Sequence, residues 1–196
     1  MSDSIYAPPE ADLTVPNSDQ PRYYVVAPRK FLLLSLLTTT YYFYYWFYRN
    51  WRQIKEDDND DLWAPARSIF FVFFTHALFT DVQENLKTQG RGYRWQPVLL
   101  ATVFVLLVIG SNVVGFMVPY ETSPLLSGLV PMTAVVLTTF LLLPAQKAIN
   151  VASSDEKGDT NSNLTGANWA WMVVGGVIWL LMLVGTFADY LDPLLQ

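Results

Sequence analysis

The sequence predicts an all-α integral membrane protein: three full transmembrane helices, one aromatic segment that either re-enters or spans, and one short interfacial helix. Bulk composition is the first reason. Apolar residues make up 52% of the 196, charged residues only 15%, and the mean hydropathy is +0.25. The distribution is the second. The excess sits in three uncharged runs, Val98 to Val118, Leu125 to Leu143 and Trp169 to Ala188. Each is close to the ~20 residues that a helix needs to cross ~30 Å of hydrocarbon.

Taken in order, residues 1–28 predict a disordered tail. Pro8, Pro9, Pro16, Pro21 and Pro28 interrupt it, and no periodicity is sustained. No positive region runs directly into an apolar core there, so no cleavable signal peptide is expected. Residues 29–196 then read as a single membrane domain. Its first segment, Phe31 to Tyr48, has an aliphatic arm (FLLLSLL), three threonines (Thr38, Thr39, Thr40) and an aromatic arm (YYFYYWFY). Tyrosine and tryptophan favour the headgroup interface, whereas a simple span keeps them at its ends. The pattern suggests a segment that re-enters, its bend at the threonines, with a spanning helix as the alternative. Non-helical backbone at membrane depth needs protein or water around it, and the threonine hydroxyls are available to satisfy it. A charged stretch, Arg49 to Asp61, follows. The next apolar run, Ile69 to Phe79, is too short to span and predicts an interfacial helix. The first two full spans are joined by a tight turn, Pro119 to Pro124. A polar loop, Gln146 to Ala167, leads to the last span, which Asn168 is placed to cap.

Topology follows from the twelve basic residues. Arg22, Arg29 and Lys30 precede the aromatic segment. Arg49, Arg52, Lys55, Arg67, Lys87, Arg91 and Arg94 lie between it and the first full span, and Lys147 and Lys157 follow the second. If the aromatic segment returns to the side it entered from, all of them share one face, which the positive-inside rule makes cytoplasmic. A cysteine introduced at Ser18 is then expected to resist membrane-impermeant thiol reagents in intact cells. Ready labelling would refute the re-entrant arrangement. The natural chain has no cysteine to confuse the assay.

Composition also excludes chemistry. Without cysteine there is no disulfide, thiolate nucleophile or cysteine metal site. The single histidine, His76, excludes a site needing two from one chain. A net charge of -5 argues against nucleic acid as a partner. No GxSxG, HExxH or phosphate-binding glycine loop is present. The run Asp57 to Asp61 has the alternating acids of a calcium loop, but Leu62 and Ser68 stand where glycine and glutamate are required. It reads as a solvated acidic loop. No enzyme activity, metal or cofactor is expected.

A few polar or small positions stand out within the apolar segments. His76 is either a packed residue with one hydrogen bond or a titrating group. Asn112, the only amide inside a full span, is expected to face protein and to join helices. Gly110 and Gly115 on that helix, and Gly175 and Gly176 on the last, predict close-packed faces, internal or dimeric. Pro131 is placed to kink its helix. No span holds a charged residue, which speaks against an ion pump or proton-coupled carrier.

The strings YYWFYRNWRQIK, APARSIFFVFFTHALF, LPAQKAIN and NLTGANWAWMVVGGVIWLL, with the opener IYAPPEADL, resemble an uncharacterised family of small multi-pass bacterial inner-membrane proteins. The resemblance covers most of the chain from Lys30 onward. It implies a bacterial inner membrane and this layout, and it implies no activity. Elimination then leaves a protein that acts by contact. Its expected partners are membrane lipids and another protein, and a homo-oligomer is compatible. The sharpest form of this reading is an immunity protein that neutralises a membrane-targeting toxin. The alternative is a small oligomeric transporter or channel component lined by Asn112, Pro131 and His76.

Overall fold

The computed structural model describes residues 21–119 and 123–191. It is helical, with no strand among the described residues: α1 (Pro28–Leu37), α2 (Tyr41–Asp58), α3 (Ala64–Ile69), α4 (Phe71–Thr88), α5 (Pro97–Met117), α6 (Pro124–Ala152) and α7 (Gly166–Leu191), with one 3-10 turn at Asp159–Asn161. Three of these, α5, α6 and α7, are long and apolar enough to cross a membrane. Their outward faces carry exposed apolar side chains such as Leu106, Phe116, Val173 and Leu181. Such surface is stable against hydrocarbon and costly against water. The chain is a multi-pass membrane protein.

The aromatic segment is two helices. Three α1 carbonyls are met by the amides of Thr38, Thr39 and Thr40, and the chain then turns. Thr39 and Thr40 have φ of 51° and 74°. That left-handed conformation is uncommon for a β-branched residue. Thr38 holds the joint from both sides. Its hydroxyl donates to Leu34 O at 2.8 Å and accepts from Tyr42 N at 3.1 Å. Beyond the turn, α2 buries Tyr42, Phe43, Trp46, Phe47, Asn50, Trp51 and Ile54, a stripe at helical spacing. Phe47 stacks on Phe71 with ring centroids 5.1 Å apart, and Phe104 meets Phe43 edge-on at 5.9 Å. The aromatic arm is therefore core on one face. On the other, Tyr41, Tyr44 and Tyr45 are exposed.

Four boundaries differ from the sequence expectation. The run at Ile69 to Phe79 does not end at Phe79. The helix breaks at Phe70 and α4 continues to Thr88, because Leu78, Phe79, Val82 and Leu86 keep one face buried after the sequence turns polar. Second, α6 does not stop at Leu143. It runs on through Pro144 to Ala152, its last turns holding buried Gln146, Ile149 and Asn150. Third, Asn168 lies inside α7. Thr165 is the cap: Asn168 N donates to Thr165 Oγ1 at 3.3 Å and Thr165 N to Asn168 Oδ1 at 3.0 Å, a reciprocal capping pair. Fourth, the last residues of the expected tail are ordered. Tyr23 and Val26 are buried in the main core and Val25 is buried outside it, since Tyr and Val side chains there have apolar surface to cover. The rest of the tail, 1–20, lies outside the described residues.

The turn between α1 and α2 sits well along α7. A Cβ on Gly175 would fall 1.8 Å from Leu37 O, and Trp179 Nε1 donates to Leu36 O at 2.7 Å. Gly175 is on the order of 14 Å along the axis from the start of α7 at 1.5 Å per residue.

Candidate functional site

Two features with functional potential emerge, and the first rests on how the segment before α1 is held. Residues 22–27 form an extended strap with no strand partner. Side-chain amides take that place. Asn150 Nδ2 donates to Val26 O at 2.9 Å, and Asn150 Oδ1 accepts from Val26 N at 3.3 Å. Tyr24 N donates to Asn50 Oδ1 at 3.1 Å, Gln146 Nε2 to Tyr24 O at 3.3 Å, and Asn161 Nδ2 to Val25 O at 2.8 Å. Trp46 Nε1 donates to Gln146 Oε1, and Gln146 Nε2 also donates to Asn150 Oδ1 at 2.7 Å. Buried backbone must find partners, and here α2, α6 and the 3-10 turn each supply them.

The strap begins in a charge cluster. Arg22 bridges Asp57 at 2.7 Å and Asp81 at 2.9 Å, and also pairs with Asp58. The Tyr23 hydroxyl donates to Asp81 at 2.7 Å. Burial, with the Asp81 charge behind it, pushes that hydroxyl well above the usual tyrosine range. The acidic run is thus not simply a solvated loop. Asp57 and Asp58 end α2 and anchor the strap, because Arg22 reaches both.

The first feature is a polar pocket of about 760 Å³ between the strap, α2 and the loop after α6, with Lys30 and Arg49 in its wall. Lys30 is 5% exposed, and its ammonium donates to Asn161 Oδ1 and Asn163 O, both at 2.7 Å. Burial lowers the affinity of that amine for its proton. Arg49 lies over the Tyr24 ring, 4.9 Å from its centroid. An apolar groove of about 680 Å³ adjoins the pocket. It is lined by Leu34, Tyr41, Tyr42, Tyr44 and Trp171, and shares Tyr45, Thr165 and Asn168 with the pocket.

The second feature is a cleft of about 520 Å³ where the α1–α2 turn meets α5, α6 and α7. Its wall includes Thr39, Thr40, Ser111, Asn112, Gly115, Pro131 and Thr138 among aliphatic and aromatic side chains, and no charged residue. The Thr39 hydroxyl is buried with no hydrogen-bond partner among the described residues.

The residues singled out in the sequence divide between these places. Asn112, Gly115 and Pro131 meet in the cleft. Asn112 does not join helices. Its amide donates to Val108 O of its own helix at 2.7 Å and its side chain is exposed toward the cleft, since no neighbouring helix closes that space. His76 is elsewhere. Its Nε2 lies 3.0 Å from Thr102 Oγ1, which itself donates to Val98 O at 2.9 Å. With the Thr102 hydroxyl turned to Val98 O the histidine is the donor, and the contact ties α4 to α5. Of Gly110, Gly115, Gly175 and Gly176, Gly175 alone is a close contact. A Cβ on Gly110, Gly115 or Gly176 would meet nothing within 4 Å, so these do not form internal packing faces. Gly128, against Thr186, is a tight crossing that sequence reasoning missed. It also missed Lys30, Arg49, Asn50, Gln146 and Asn150. The pair Gln146 and Asn150 carried a readable signal, two amides one turn apart among small apolar residues.

No protein-family model matches the chain, and neither curated proteins nor solved structures provide a match.

Proposed function

We propose that the protein is non-enzymatic and acts by contact within the bilayer, with the cleft beside Asn112 as its contact site. One observation carries this reading: the cleft offers hydroxyls and one amide in an apolar wall, with no charge and no acid–base pair. Acid–base or nucleophilic catalysis requires groups of that kind. A hydrophobic helix bearing one or two hydrogen-bonding residues requires the opposite, a few donors and acceptors in an apolar surface. The sharpest form is an immunity protein of a bacterial inner membrane, its partner a membrane-targeting toxin. A re-entrant α1–α2 pair belongs to the same reading. It is supported by the depth at which the Thr38–Thr40 turn meets Gly175, and it leaves the tail cytoplasmic.

The test exploits Gly115, where a side chain has room. Gly115→Leu is expected to fold and to fill the cleft. Tagged wild-type protein purified from native membranes in mild detergent is expected to retain a near-stoichiometric partner that is toxic when expressed alone, and Gly115→Leu is expected to lose it. Equal retention by both would overturn the assignment of the cleft. Purification of the wild type alone, or only as a homo-oligomer, would favour the alternative of a small transporter or channel. Asn112 and Pro131 share one cavity in its favour, whereas His76 is not there.

A further inference from the structure

The pocket at Lys30 and Arg49 is separate from that cleft and has a different chemistry. We propose that it binds the phosphate headgroup of an anionic, hydroxyl-bearing glycerophospholipid, with an acyl chain lying in the adjoining groove. Charge is the first argument. Among the described residues, every ion pair involves Arg22 or Arg52. Lys30 meets only a neutral amide and a carbonyl. Arg49 meets two tyrosine rings and the Tyr45 hydroxyl at 3.3 Å, and its buried Nε has no acceptor among the described residues. The acid in the wall, Asp155, is already engaged. It accepts from Asp159 N at 2.9 Å, and from Thr160 N at 3.0 Å and Thr160 Oγ1 at 2.7 Å. Two cations without carboxylates thus face one cavity, and a buried charge without a partner is costly.

Unmet polar groups are the second argument. Gln53 is 7% exposed, and its Oε1 has no donor among the described residues. The Ser153 hydroxyl is in the same state. Both line the pocket, and both accept hydrogen bonds. A headgroup that carries hydroxyls beside its phosphate supplies donors for them.

Geometry is the third argument. The groove leaves the pocket at Tyr45, Thr165 and Asn168 and runs along α1 and α2 toward Thr38, one turn beyond Leu34. Its walls are aliphatic and aromatic, and Tyr41 and Trp171 are more than half exposed. Charged head at the rim and apolar channel below is the order of groups in a phospholipid, and Tyr45, which pocket and groove share, stands at the headgroup end. Pocket and groove each fall within the range of small-molecule sites, and together they exceed it, as a ligand with a long acyl chain requires.

The experiment is native mass spectrometry of the purified full chain in neutral detergent, titrated separately with phosphatidylglycerol, phosphatidylcholine and inorganic phosphate. Phosphatidylglycerol is expected to bind in preference to both. Lys30→Gln/Arg49→Gln is expected to weaken it by roughly tenfold or more. The exposed Trp171→Ala is expected to weaken phosphatidylglycerol binding while leaving the fold unchanged, so a folding defect of the double variant does not decide the matter. Equal affinity for phosphatidylcholine, or unchanged affinity in both variants, would overturn the proposal. Inorganic phosphate binding as tightly as phosphatidylglycerol would make the pocket an anion site without a lipid. No protein partner is present in this assay, so its result is independent of the cleft.

Discussion

Gly175→Ala is expected to cost on the order of 3 kcal/mol of stability, at the upper end for overpacking, read as a lower melting temperature in detergent. The added methyl would lie 1.8 Å from Leu37 O and 2.7 Å from Leu37 C and Thr38 Cα. These are backbone atoms at the end of α1, so no side chain can rotate away. Either α7 or the turn must shift by more than 1 Å. Trp179 sits one helical turn further on and donates to Leu36 O at 2.7 Å, so the same shift breaks its hydrogen bond. The neighbour is the control. Gly176→Ala meets nothing within 4 Å and removes a helix-weakening glycine, so it is expected to be neutral or slightly stabilising. Equal melting temperatures for the two variants would refute the close crossing. Thr39 and Thr40 line the cleft, so Gly175→Ala is also expected to weaken capture of the partner.

The contrast between Gly175 and Gly176 marks what a sequence conveys and what it does not. Hydrophobic length alone located α5, α6 and α7, because crossing hydrocarbon is a demand on each helix separately. The bend at Thr38–Thr40 was legible for a related reason: hydroxyls, a change from aliphatic to aromatic side chains, and an apolar segment all coincide there. Which glycine faces a neighbour was not legible. Adjacent helix positions point about 100° apart, and only the assembled bundle decides which one meets α1. The same limit hid the strap. Pro21 to Ala27 resembles a tail by composition, and nothing local announces that its backbone is satisfied by Asn50, Gln146, Asn150 and Asn161, residues distant in sequence. Asn112 failed in the other direction. An amide in a span usually joins helices, and here it lines an opening among them.

Asn150→Leu carries the second large expected effect. Asn150 is fully buried and makes three hydrogen bonds, two with the Val26 backbone and one with Gln146 Nε2. Leucine keeps the same branching and the same number of side-chain heavy atoms, so the principal loss is polar. The Val26 amide and carbonyl would be left buried without partners. Each such group costs about 1–3 kcal/mol, so the strap is expected to lose roughly 3 kcal/mol of local stability. Arg22 holds one end of the strap through Asp57, Asp58 and Asp81, but that cluster is partly exposed and its attraction is screened. It does not compensate for the middle. Hydrogen exchange is the measurement: amides of residues 22–27 are expected to exchange much faster in Asn150→Leu, while α5 and α7 keep their protection. Unchanged exchange over 22–27 would show that the strap stands without this residue. Tyr24 and Val25 form part of the wall behind Lys30 and Arg49, so the released strap opens the pocket. Asn150→Leu is therefore expected to lose phosphatidylglycerol binding as well, although Asn150 does not itself line that pocket.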